Sequence, residues 1–308
     1  MKLIRRKAAV RDPKPIIATI GNFDGMHLGH QAIMERMKAL AEEHNALTCV
    51  ITFDPLPAEM FSKEKAPARL HGTRDRLLNI KSCGIDQCLL LTFNESFHTL
   101  SAKAFIEEVL LCNLNLHTLI VGDDFRFGNQ RTGDFNTLKE AGVNHSFDVE
   151  DTPTVTLDGE RISSTRVRKA LEDRNLDIAQ ELLGRPYLIS GRVVHGEKVG
   201  TQLGFPTANI ALKKQVPPLT GVFAVIAKCE KTQQTWNAVA NLGKRPTVNG
   251  LSLLLEVHML DAIEELYGKH LSIEFVHFIR GEIKFPSLEE LKAQIARDAD
   301  SARDFFRQ

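Results

Sequence analysis

Apolar positions in the first half of the chain form short continuous runs, separated by stretches in which they recur every third or fourth residue. Residues 15–20, 47–53, 87–93 and 117–121 are β-rich runs of strand length. Between them, Ile33, Met37, Leu40 and Ala41 mark one helical face, a second helix is expected over 74–81, and Ser101 is placed to cap a third, on which Phe105, Val109 and Cys112 share a face. Asp54-Pro55-Leu56-Pro57 ends the second strand, because proline supplies no backbone N–H to a ladder. Continuous apolar strands alternating with helices predict a parallel sheet covered on both faces, an α/β domain of Rossmann-like type. A helix over 176–183 runs into Gly184-Arg185-Pro186, a stop signal read as the boundary between a first domain (1–184) and a second (185–308).

Beyond the boundary the period changes. β-rich segments at 188–194, 222–228, 236–241, 253–260 and 271–278 follow one another with turn residues and no helices between them, which predicts an antiparallel barrel or sandwich. Ser287-Leu288-Glu289-Glu290 reads as a capping box opening a terminal helix, with Leu291, Ile295, Ala299 and Ala302 along the face turned to the barrel.

Composition narrows the partners more than the fold. A chain of 308 residues suffices for two cores, and 39 charges of each sign leave no net charge to attract a nucleic acid. Lys2, Arg5, Arg6, Lys7, Arg11 and Lys14 make the beginning basic without an apolar segment, so a solvated basic edge is expected rather than a secretory signal. No run has membrane-spanning length. Five cysteines without a CxxC pair read as reduced thiols of a cytoplasmic protein.

The chemistry begins at Gly21-Asn22-Phe23-Asp24-Gly25-Met26-His27-Leu28-Gly29-His30, between the first strand and the first helix. Glycines there let a phosphate approach the backbone, and the helix N-terminus offers free N–H groups and a positive dipole end. His27 and His30, three apart, can turn into one site. An ordinary βα turn would explain the glycines but not that spacing; His-x-x-His can also chelate, yet no further ligand lies close by in sequence. The stretch resembles the GxFDGxHxGH signature of the adenylyl- and cytidylyltransferase superfamily. After the fourth strand, residues 121–133 place Phe125 and Phe127 on either side of Arg126 in a glycine-bounded loop. That loop is either a stacking site with a phosphate partner or a long surface loop with two partly buried rings. Ser163-Ser164-Thr165-Arg166-Val167-Arg168 is a capped helix start whose hydroxyls and arginines also suit an anion. Neither a Walker GxxxxGK[ST] nor a GxGxxG pattern occurs.

In the second half, residues 191–209 form a glycine-studded stretch ending in Pro206-Thr207-Ala208-Asn209. The Thr hydroxyl and the Asn amide oxygen are hard ligands that Mg²⁺ accepts when phosphates complete its shell. Glu256 and His258 alternate with apolar residues on one strand face, where a carboxylate can take a proton from a hydroxyl or simply face solvent.

Taken together, GNFDGMHLGH, FDP at Phe53, VGDDFRFG, ISSTRVR, LGFPTANI, GVFAV, NLGKRPT, LEVHMLD, LYGK and IRGEIKF resemble, in order and spacing, the bacterial bifunctional riboflavin kinase and FAD synthetase family over nearly the whole chain. The resemblance implies a second domain that is a Greek-key barrel phosphorylating riboflavin to FMN, and a first domain that adenylylates FMN to FAD with release of pyrophosphate. It implies Glu256 as the kinase base, Thr207 and Asn209 as Mg²⁺ ligands, and Gly196, Gly200 and Gly204 in an ATP-phosphate loop. For the adenylyl step it implies His27, His30 and Arg168 as catalytic groups, with Gly21, Phe23, Asp24, Gly25, Gly29, Ser163, Ser164 and Thr165 around ATP. Asp124, Phe125, Arg126, Phe127 and Arg280 would touch flavin. The expected partners are small molecules (riboflavin, FMN, ATP), with no nucleic acid or membrane, for a cytoplasmic monomer or weak homo-oligomer. Two positions depart from the family pattern: Thr201 replaces a common arginine, and residues 262–265 lack an aromatic before LYG. The rival readings are a monofunctional nucleotidyltransferase with a flavin-binding regulatory module, and a non-enzymatic binder.

Overall fold

The apolar runs of the first half pair side by side into one parallel sheet. In this computed structural model, residues 1–5, 13–61, 66–152, 154–196, 200, 203–212, 216–247, 250–260 and 266–307 are described. The chain divides into two compact units, Met1–Pro67 with Thr73–Ile162, and Ala68–Gly72 with Ser163–Gln308.

The first unit is built on six strands, β1 (Lys2–Ile4), β2 (Ile16–Ile20), β3 (Leu47–Phe53), β4 (Gln87–Leu91), β5 (Leu116–Val121) and β6 (Asp148–Asp151), in the order β1-β4-β3-β2-β5-β6. Every neighbouring pair is parallel. The two-residue period sorts side chains to opposite faces: Ile16, Ala18 and Ile20 join one core, whereas Ile17 joins the other, beneath Met34, Met37 and Leu40 of the first helix, Leu28–Glu43. Strand order reverses at β2, whose neighbours are β3 on one side and β5 on the other. The crevice beyond their carboxyl ends is the topological switch point at which such sheets bind ligands.

Three expectations change here. Part of the basic beginning is an edge strand, with Lys2 paired to Gln87; Arg6, Lys7 and Arg11 lie outside the described residues. β6 has no apolar run to announce it, since its residues are half-buried or exposed and pairing with β5 alone makes it a strand. The third helix is capped by Ser101, which accepts from the Ala104 N–H at 3.1 Å, but it widens into π-helix over Phe105–Leu111. The wider turn keeps Phe105 and Val109 in the core and leaves Cys112 exposed.

In the second unit, the helices Ser164–Glu172 and Leu176–Leu183 precede a closed barrel. Gly184 ends the second of them in the left-handed conformation, as the stop signal requires. After the small hairpin β7 (Thr156–Leu157) and β8 (Glu160–Arg161) of the first unit, the barrel strands are β9 (Leu188–Val194), β10 (Ala208–Ile210), β11 (Gly221–Cys229), β12 (Thr235–Thr247), β13 (Gly250–Met259) and β14 (His270–Arg280). They close in the order β10-β13-β12-β11-β14-β9, all antiparallel. β10 beside the end of the β11-β12-β13 meander is the Greek-key arrangement. The terminal helix, Leu288–Arg307, is capped by Ser287 and packs Ala299 and Ala302 on Val222, Ala224 and Val239.

Two candidate active sites

In the first unit the chain leaves β2 through a loop that doubles back on itself. Phe23 (φ 48°), Gly25 (φ 92°) and Met26 (φ 47°) are left-handed, a conformation that two non-glycine residues hold here because their side chains are buried. Asp24 is also buried, at 1% exposure. His27 caps the first helix, its Nδ1 accepting from the His30 N–H at 3.3 Å. The two imidazoles stack with centroids 3.7 Å apart. Gly29 permits this, since a Cβ there would approach the His27 ring at 3.1 Å. The His30 Nδ1 is enclosed and makes no hydrogen bond among the described residues. Burial, and then the neighbouring His27, hold His30 well below the ordinary histidine range. His30 is therefore neutral at physiological pH, a polar ring beside a helix N-terminus that can meet an anion without a resident charge.

Across the switch point, β5 runs into the second loop. Gly122 leaves room for Asp124, whose Oδ1 a Cβ would meet at 2.7 Å. Asp124 and Arg126 are exposed and Phe125 is half-buried. Phe127 is a core residue, with Phe105 and Phe125 at 4.9 and 5.6 Å and a two-hydrogen-bond bridge to Gly133. Of the two aromatics flanking Arg126, Phe127 thus anchors the loop, and Phe125 with Asp124 and Arg126 makes up its outer face.

The hydroxyl-rich segment belongs to the second unit. Ser163 is the helix cap, accepting from the Arg166 N–H at 3.3 Å, which leaves the Ser164 and Thr165 hydroxyls on the first turn. Arg168 gives its Nε to the Ala68 carbonyl at 2.6 Å.

The barrel unit holds a cavity of about 400 Å³ into which most of the second-half candidates converge. Register does this. Asn209 on β10 and Asn241 on β12 both stand opposite Glu256 of β13, so three polar side chains from neighbouring strands line one wall with Thr207. His258 lines it too, its Nδ1 2.9 Å from the Pro206 carbonyl and its ring edge-on to Phe205. Gly196 and Gly200 lie directly over Asn209 and Thr207; a Cβ at either would collide, with the Asn209 amide or with the Phe205 carbonyl. Gly204 is left-handed (φ 89°) in the turn between. Thr201 and residues 262–265 lie outside the described residues.

On the opposite wall Arg280 ends β14. Its Nε and Nη2 donate to the two carboxylate oxygens of Asp298 at 2.8 and 2.7 Å, while Gln294 donates to the same carboxylate. Asp298, Asn241 and Glu282 line the cavity without having been expected. Asp298 carried a readable signal: it is a carboxylate on the apolar face of the terminal helix, three residues after Ile295 and beside Ala299. Among the described residues no three His, Cys, Asp or Glu side chains cluster to hold a metal. Neutral oxygen donors such as Thr207 and Asn209 instead suit a cation that arrives with phosphates.

Residues 9–166 match the FAD synthetase family and residues 183–306 the riboflavin kinase family. The bifunctional riboflavin kinase/FMN adenylyltransferase of Escherichia coli K12 is 46% identical over 310 residues, covering 99% of this chain and 98% of that protein. The protein of the same description from Pseudomonas fluorescens is 47% identical over 305 residues, covering 98% and 97%. A crystal structure described as a macrolide-efflux protein from Streptococcus pneumoniae superposes with a TM-score of 0.81 at 28% identity over 98% of this chain and 99% of its own. Among the described residues no helix is long and apolar enough to cross a membrane. With the two family matches in this order, and identity sustained over its full length, the chain belongs to the bifunctional riboflavin kinase/FMN adenylyltransferase family.

Proposed function

We propose that the chain makes FMN in the barrel cavity and converts it to FAD at the first nucleotide loop, the functional boundary falling at residue 184. The observation that carries the kinase half is the convergence of Thr207, Asn209 and Glu256 on one cavity through strand register. Glu256 takes the proton of the riboflavin 5′-hydroxyl as its oxygen attacks the γ-phosphorus of ATP, and ADP leaves. Thr207 and Asn209 would hold a magnesium ion, which would supply neutralisation of phosphate charge, and Gly196, Gly200 and Gly204 leave room for the phosphates beside them. Arg280, locked by Asp298, is a preformed flavin-side wall of the same cavity.

In the second step an FMN phosphate oxygen attacks the α-phosphorus of ATP and pyrophosphate leaves, so no covalent enzyme group is required. Gly21, Phe23, Asp24, Gly25 and Gly29 shape the ATP cradle. His27, His30 and Arg168, with Ser163, Ser164 and Thr165, stabilise the charge growing on the α-phosphate and on pyrophosphate. Asp124, Phe125 and Arg126 seat the flavin, and Phe127 holds their loop. The reading includes a cytoplasmic, magnesium-dependent enzyme of small-molecule substrates, a monomer or weak homo-oligomer without nucleic-acid or membrane partners; a formal net charge of zero supports the absence of a nucleic-acid partner. The test is a time course from riboflavin, ATP and Mg²⁺ that separates FMN from FAD, with Glu256→Gln and His30→Ala in parallel. Each variant should block one step and spare the other; loss of neither, or of both together, overturns the assignment.

A further inference from the structure

The left-handed loop of the first unit rests on a side chain that no sequence motif contains. Arg76, on the helix Thr73–Ser82, is 1% exposed. Its Nη2 donates to the Phe53 carbonyl at 2.5 Å and its Nη1 to the Asn22 carbonyl at 3.0 Å. These are the points at which the chain leaves β3 and β2, adjacent strands at the middle of the sheet. Asn22 immediately precedes the left-handed Phe23, and the Thr52 hydroxyl, 3.4 Å away, adds a second donor to the same carbonyl. At the other end of the turn, the Gln31 amide donates to the carbonyl of Met26, the second left-handed non-glycine residue, at 2.9 Å. A guanidinium stays charged at any pH and is costly to bury, so an arginine at this depth calls for a reason beyond filling space.

We propose that Arg76, assisted by Gln31, is a positioning residue for the adenylyl-transfer step. The two side chains clamp the carbonyls at either end of the strained segment Asn22–Met26, which turns the backbone N–H groups and the helix start toward ATP, and Arg76 places a fixed positive charge beneath the edge where the phosphates bind. The inference rests on the assignment of adenylylation to this loop.

The bifunctional chain supplies its own control, because riboflavin phosphorylation reads the barrel in the same molecule. With FMN supplied as substrate, Arg76→Met should raise KM for ATP in FAD formation by roughly tenfold or more, and Gln31→Met by about threefold, with kinase activity within about twofold of wild type. Arg76→Lys, which keeps the charge and one donor group, should return KM to within about threefold of wild type. If Arg76→Met fails to fold, shown by loss of amide-exchange protection in β2 and β3, the Gln31→Met and Arg76→Lys values decide the matter. A folded Arg76→Met with wild-type KM, or variants that lose only kcat in proportion to the unfolded fraction, would overturn the proposal. His30→Ala separates the two levels: if FAD formation survives it, the site assignment falls and this inference with it. If His30→Ala abolishes FAD formation while the Arg76 and Gln31 variants behave as wild type, only the clamp is wrong.

Discussion

The two proposed phosphate sites are built in opposite ways. In the first unit the proposed contacts belong to the backbone and the helix start, shaped by Gly25, the left-handed Phe23 and Met26, beside a His30 that burial holds well below the ordinary histidine range. In the barrel they are side chains, Asn209, Asn241 and Glu256, brought opposite one another by strand register. A loop site depends on whatever holds its backbone as well as on the side chains it carries. A strand site inherits its geometry from the ladder and stakes its activity on the identity of individual side chains.

Substituting one reactive side chain in each site should break the comparison most sharply. Glu256→Gln removes the proton acceptor, and FMN formation should fall by ~10²–10⁴ while FAD formation from added FMN persists. His30→Ala should lower FAD formation by ~10²–10³ and leave FMN formation intact. Quantifying both products chromatographically against time checks the pair.

Next in size is the barrel's buried ion pair. Asp298 is 4% and Arg280 17% exposed in their side chains, so Asp298→Ala strands a guanidinium in the cavity wall. A loss of about 3–5 kcal/mol in the stability of the barrel unit is expected. Trp236, on β12 and the single tryptophan of the chain, reports it as an earlier fluorescence transition in urea.

Smaller again is Gly196→Ala, whose new methyl would press on the Asn209 amide. KM for ATP in riboflavin phosphorylation should rise roughly tenfold, equivalent to ~1.4 kcal/mol, with FAD formation from FMN unchanged. Steady-state kinetics at varied ATP read the difference.

Smallest is the pH dependence of the loop site. Burial depresses His30 in the folded chain, so the unfolded chain, with its histidine near 6.5, takes up the proton first as pH falls. Stability of the first unit should be complete above about pH 6.5 and decline below it until the folded-state value is passed, by at most ~1.4 kcal/mol per pH unit. Amide exchange of β2 and the first helix at neutral and mildly acidic pH should show the decline, and His30→Gln should flatten it.

Much of this architecture is written in short-range pattern. The sheet strands β2 to β5 and every barrel strand except β10 carry an apolar or β-branched signal of their own, whereas β1 reads only as a basic edge and β10 is hidden in a glycine loop. β6 was illegible because its side chains are polar and only its partner makes it a strand. Cys112 left its expected face because a π-turn changed the helical period. Whether Phe127 stacks on a ligand or packs inward stays open in the sequence, because composition does not reveal that Phe105 and Phe125 lie against it.

What the chain settles by itself is therefore local: where its apolar strands and several of its amphipathic helices run, that Ser101 and Ser287 cap theirs, and, through the order of its motifs, the family. What only the tertiary structure decides is which distant polar groups meet. Glu256 faces Asn209 and Asn241 because barrel closure sets the register; Arg280 finds Asp298 because the terminal helix packs on β11, β12 and β14; Arg76 reaches Asn22 because its helix packs against β2 and β3 at the middle of the sheet. Periodicity carries no information about such pairs, since they are chosen by the packing of whole elements and the need of buried polar groups for partners.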